Sequence, residues 1–189
     1  MTTNSLPAVR SRTLDLTYSA LFAVLMAVCS WISTPSTPLS VPFTLQTFGL
    51  FAAFTMLGGR RGTWAVAVYL LMGLAGLPVF AGFQGGAGVL LGATGGYIMG
   101  FLAAGLVYWL TTALLGEKLP AAVLACLLGM VTYYILGTAW FLAVYSRTTG
   151  PIGLSAALGW CVIPFIVPDL LKMALAVVLS RRLKRFIKN

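Results

Sequence analysis

The residues best placed to do chemistry are Asp169 and Lys172, in the stretch CVIPFIVPDLLKMALAVVLS that runs from 161 to 180. The chain holds only three acidic residues, so a carboxylate and an ammonium three positions apart in an apolar run need a reason. At that spacing they share one face of a helix. At bilayer depth each charge costs about 2.5–3.5 kcal/mol, so both must point into the protein and meet partners. Two readings stay open. The pair satisfies itself and fixes helix register, or it offers a carboxylate acceptor and ammonium donors to a polar ligand. Pro164 and Pro168 favour the second, because they remove backbone donors and leave carbonyls such as that of Pro164 available. Catalysis by Asp169 as a base lacks its companions: no nucleophile, metal set or second carboxylate lies near it in the sequence. The chain has no His, and Cys29, Cys126 and Cys161 lie singly in apolar runs, so neither a disulfide framework nor a metal cluster follows. The expectation is a protein that is not an enzyme, with no catalytic residue, no metal and no cofactor.

The elements that hold this pair must be membrane helices. At 189 residues, 60% hydrophobic and 8% charged, the chain has too little polar surface to cover a water-soluble globule. A net charge of +9 suggests nucleic acid, but that partner needs a basic soluble face, and here the charge sits in loops and tails. The sequence predicts an all-α integral membrane protein in contact with lipid, a single membrane domain over 1–189, with tails at about 1–13 and 181–189. Gly, Pro and charge punctuation divides it into six spans, about 14–34, 43–58, 63–78, 93–115, 121–145 and 161–180. The polar GGRRGT is a turn between the short second and third. The first is expected to be a retained helix and not the alternative, a cleaved signal: it is long enough to span, and Val28 stands where a lipoprotein-type cleavage before Cys29 needs a small residue.

Basic residues set the orientation, because Lys and Arg accumulate on the cytoplasmic side. Arg10, Arg12, Arg60, Arg61, Lys118, Arg181, Arg182, Lys184, Arg185 and Lys188 fall on one side, Arg147 alone on the other, and Lys172 within the last span. Both termini are therefore expected inside. Three nearly uncharged loops then gather outside: TPSTPLSVPFTLQ, PVFAGFQGGAGVLLGATGG and SRTTGPIGLSAALG. Their Gly, Pro, Phe, Thr and Gln suit walls and a lid for a small solute better than ordinary solvated connectors.

Gly92, Gly96 and Gly100, with Ala104, recur every four residues and suit close helix packing. Near the outer end, Gly95 and Gly96 beside Thr94 and Tyr97 could instead leave room and free backbone donors for a ligand. Ala20, Ala23 and Ala27 form a small-residue stripe on the first helix that fits a partner helix and internal packing equally well. GFQGGAGVLLG lacks the Gly-Lys-Ser/Thr of a phosphate loop, and Gly-x-Gly-x-x-Gly fails at Leu91, so energy must come from another chain or an ion gradient.

The blocks VPFTLQTFGLFAAFTMLGGRRG, YLLMGLAGLPVFAGFQGGAGVLLGATGGYIMGF and PFIVPDLLKMALA closely resemble the BioY family, the biotin-specific S components of energy-coupling factor transporters. The resemblance runs from about 14 to 180. It implies a six-helix protein in the cell membrane that captures biotin from outside and works with a transmembrane coupling subunit and two cytoplasmic ATPases. It implies that Ala23 and Ala27, matching an Ala-x-x-x-Ala motif, contact the coupling subunit, and that Asp169 and Lys172 take part in biotin recognition. Ala93 departs from the family's Pro before TGGY. Biotin's ureido ring has two N–H donors and one acceptor, which a carboxylate and an ammonium can bracket; its apolar body suits Phe80, Phe83 and Tyr145. Its carboxylate needs donors, available from amides around Gly85 to Gly88, Gly86 included, from Thr44, Thr94, Gln46 or Gln84, or from Lys172 in the reverse pose. The rivals are an ion-coupled small-solute carrier in which Asp169 and Lys172 exchange protons, and an S component for a different vitamin.

Overall fold

The computed structural model describes residues 8–34 and 42–187 of the chain, with side chains over 13–34 and 42–184. Residues 35–41, most of the first of the three loops expected outside, are not among the described residues, nor are the side chains of Arg10, Arg12, Arg185 and Lys188. Every named element is helical, as expected: α1 Ala8–Trp31, α2 Gln46–Leu74, a 3-10 turn Ala81–Phe83, α3 Ala87–Leu91, α4 Gly95–Leu115, α5 Leu119–Thr148, α6 Leu154–Cys161 and α7 Ile163–Ile187. Among the described residues, four stretches are long and apolar enough to cross a membrane: Thr13–Trp31, Gly95–Leu115, Leu119–Thr148 and Leu154–Lys184.

The second and third expected spans are the two arms of α2. Gly58 adopts φ 80°, ψ 175°, a conformation that side chains resist, and the chain folds back there. The polar turn is thus a single residue; Arg60 to Thr63 are already helical. Two contacts show the reversal. A Cβ on Gly62 would lie 3.0 Å from the Phe54 Cα, and Gln46 Nε2 donates to the Tyr69 hydroxyl at 2.7 Å across 23 positions, which in one straight helix would stand roughly 34 Å apart. The arms, 46–57 and 59–74, are each shorter than the roughly 20 residues a full crossing needs.

Packing follows residue size. α4 lies on α5 along the small-residue row, Gly100 against the Tyr133 backbone and Ala104 against Gly129. Gly92 is not part of that row in the structure, because α3 ends there and α4 begins at Gly95. The third of the loops expected outside is shorter than its sequence suggests: α5 continues through Thr148 and α6 starts at Leu154. Many large apolar side chains face outward, including Leu71, Leu114, Ile135, Val167 and Leu171, as they must when the surroundings are lipid. Asp15, Arg60, Arg61, Glu117 and Lys184 gather at one end around the Gly58 reversal, where Arg61 bonds Asp15 at 2.6 Å. The opposite end holds the large cavity.

Candidate functional site

α7 runs unbroken through Pro168, and the face it turns inward carries Asp169 and Lys172, 3% and 7% exposed. The helix starts after an irregular residue, Val162, so the first turn holding Pro164 lies just below the α6 break. Asp169 Oδ1 accepts from Lys172 Nζ at 2.9 Å and from Thr47 Oγ1 at 2.8 Å; Oδ2 accepts from the hydroxyls of Tyr133 and Tyr134, each at 2.8 Å. Lys172 Nζ also donates to the Thr44 carbonyl at 2.7 Å and to Thr47 Oγ1 at 3.2 Å, and sits 4.1 Å from the centroid of the Phe43 ring. A carboxylate has about four acceptor positions and an ammonium three protons, so both groups are filled by the protein. The cluster ties the start of α2 to α5 and α7. The two tyrosine bonds join α5 to α7 at this level.

Above the cluster opens a cavity of about 670 Å³, within the range of roughly 300–1,000 Å³ typical of small-molecule sites. Its floor is Asp169, Lys172, Thr47, Tyr133 and Tyr134; Tyr97, Ile98 and Phe101 of α4, Phe141 and Tyr145 of α5, and Phe165 of α7 make aromatic and aliphatic walls. The rim is exposed: Phe83 stacks on Trp31 at 5.1 Å, next to Gln84 and Thr34. The loop under Phe83 is pinned from below, because Ser30 Oγ and the Tyr69 hydroxyl both donate to the Val79 carbonyl and Trp31 Nε1 donates to that of Pro78 at 2.7 Å. Since Tyr69 spends its proton on Val79, it can only accept from Gln46. The Gln46 amide is thereby oriented with Oε1 left as an acceptor at the cavity wall.

Ten of the residues singled out in the sequence line this cavity: Asp169, Lys172, Phe80, Phe83, Gln84, Thr94, Tyr97, Gln46, Thr44 and Tyr145. Gly85, Gly86, Gly95 and Gly96 do not. Gly85 sits against the Leu77 carbonyl, Gly95 against that of Leu90 and Gly96 against the Trp140 side chain, so these glycines let chain segments cross closely. Their free amides are corrected too: Gly86 N donates to Gly73 O at 2.7 Å and Gly95 N to Gly92 O at 3.1 Å. The alanine stripe is corrected in part. Ala23 and Ala27, 0% and 3% exposed, face inward in α1, which packs on α2, and only Ala20 points outward. A partner helix cannot touch a side chain already covered by its own protein. Thr47, Tyr133, Tyr134, Phe101 and Phe165 were missed. The signal was present for the tyrosines: adjacent phenols in the apolar MVTYYILG must find acceptors, and the chain has few.

The comparisons with known proteins bear on this cavity. A model of the BioY family matches residues 1–189. This chain belongs to the BioY family. Within it, this BioY protein is 39% identical over 171 residues to the biotin transporter BioY of Thermotoga maritima, covering 90% of the chain and 96% of the relative. It is 38% identical over 170 residues to the probable biotin transporter BioY of Pyrococcus horikoshii, with the same coverage. The crystal structure at 2.1 Å of the S-component for biotin from an ECF-type ABC transporter superposes with a TM-score of 0.79 at 29% identity, covering 98% of this chain and 95% of that one. The BioY member is a membrane protein whose relatives are named as transporters.

Proposed function

We propose that this BioY protein is a high-affinity biotin-binding membrane subunit that delivers the vitamin for uptake with a transmembrane coupling subunit and two cytoplasmic ATPases. The observation that carries the reading is the cavity of about 670 Å³ whose buried floor is an electrically neutral Asp169–Lys172 cluster and whose walls are aromatic. In this reading the α2 arms count as the second and third of six membrane segments, both termini are cytoplasmic, and the cavity opens outward, away from the Arg60, Arg61 and Lys184 end.

Charge neutrality selects the pose. A ureido ring is uncharged, so its N–H groups can replace a tyrosine hydroxyl on Asp169 Oδ2, and its carbonyl can accept a hydrogen bond from the phenol so released, with no net charge buried. A carboxylate at the floor would place two anions around one ammonium in a dry site. The ureido pole therefore lies at the floor and the fused rings lie against Tyr97, Phe101 and Phe141. Docking to the coupling subunit falls to the outer side of α1 around Ala20.

Mass spectrometry of ligand co-purifying with the protein, followed by calorimetry in detergent, tests the assignment. Biotin bound at one site, chemically unchanged and without an ion gradient, is the expected result. Binding of another vitamin with no response to biotin would end it.

A further inference from the structure

We propose that the site recognises its ligand by the ureido pole alone and accepts uncharged carboxyl derivatives of biotin, including its amides with primary amines. The inference rests on biotin being the ligand with its ureido ring at the cavity floor. Among the described residues the cavity lining holds one cation and one anion, Lys172 and Asp169, joined at 2.9 Å. The ammonium's remaining protons go to the Thr44 carbonyl and Thr47 Oγ1, so no free counter-charge waits for a carboxylate.

The rim offers none either. Its polar lining is Ser33, Thr34, Gln84 and Thr94, all neutral. Arg147 is exposed in the last turn of α5 and does not line the cavity; Arg60, Arg61 and Lys184 lie around the opposite end. The sequence PSTPLSV, which joins Thr34 to Pro42, contains no Lys or Arg. A carboxylate at a wet rim among neutral donors exchanges water for similar partners and gains little from its charge. An amide there keeps an acceptor, gains a donor and loses almost nothing. Because Gly82, Phe83 and Gln84 are exposed, a substituent on that amide can continue outward into solvent.

The test is a titration of the purified full chain in detergent with four probes. These are biotin, biotinamide, the biotin amide of the lysine ε-amine, and biotin carrying a methoxycarbonyl group on a ureido nitrogen. The first three are expected to bind within about tenfold of one another, and the ureido-blocked probe about a hundredfold or more weaker. A loss of about a hundredfold for either amide while biotin stays tight would overturn the inference and leave the biotin assignment standing. No binding of biotin itself would instead remove that assignment, and the inference with it. Arg147→Gln supplies an independent arm: unchanged biotin affinity is expected, and a drop confined to the free acid would identify the missing counter-charge and overturn the inference.

Discussion

Asp169→Asn with Lys172→Met, as single and double variants, separates a ligand-binding role of the pair from a purely structural one. In Asp169→Asn the amide oxygen can keep Lys172 and Thr47, while the new NH₂ faces the hydroxyls of Tyr133 and Tyr134, which can turn to accept. Shape survives and the charge does not, leaving a buried ammonium unpaired; breaking a buried pair from one side typically costs about 3–5 kcal/mol of stability. The ligand loses a charge-assisted bond of about 1.5–3 kcal/mol, which is roughly tenfold to a hundredfold in affinity. Lys172→Met orphans Asp169 and removes the contact with Phe43, with a similar loss in both quantities. The double variant is measured for melting temperature in detergent and for biotin affinity by calorimetry. Stability should return most of the way, because neither charge is then alone, while affinity should stay low because the ligand's acceptor has gone. Near-native affinity in a folded double variant would refute the role given to Asp169.

Tyr134→Phe removes one donor from Asp169 Oδ2 and should cost about 1–2 kcal/mol of stability, read as a lower melting temperature with the fold intact. Gly137→Ala drives a methyl into the Tyr97 ring, which lines the cavity, so biotin binding should fall about fivefold to a hundredfold by calorimetry, an overpacking effect of about 1–3 kcal/mol. Ala23→Trp should lower stability and binding together, because Ala23 is buried, whereas Ala20→Trp should spare binding and abolish ATP-driven uptake with the coupling module. Cysteines introduced at Ser146 and Lys118, both exposed, test the orientation: an impermeant reagent applied outside should label the first and not the second. The native Cys29 and Cys126 are buried and do not line the cavity, and Cys161, which does, is replaced by Ala for the labelling.

The sequence by itself determined the class of protein and the location of its polar centre. Sixty per cent apolar residues against 8% charged ones leave too little polar surface for a water-soluble globule, and the cost of a carboxylate in lipid forces Asp169 inward whatever the fold. Spacing alone put Lys172 on the same face as Asp169, and the structure keeps it there. Which residues complete that centre was decided only by tertiary structure. Thr44, Thr47, Tyr133 and Tyr134 stand 35 to 128 positions away from the members of the pair they bond, and no local periodicity encodes such contacts. The same limit explains the alanines and glycines. Small residues say that something approaches closely, but whether it is a neighbouring helix, a carbonyl or a ligand depends on how α1, α2, α4 and α5 are arranged. Packing thus turned Ala23 and Ala27 inward and used Gly95 and Gly96 as crossing points, a choice made by the three-dimensional fit of whole helices and absent from any single stretch of chain.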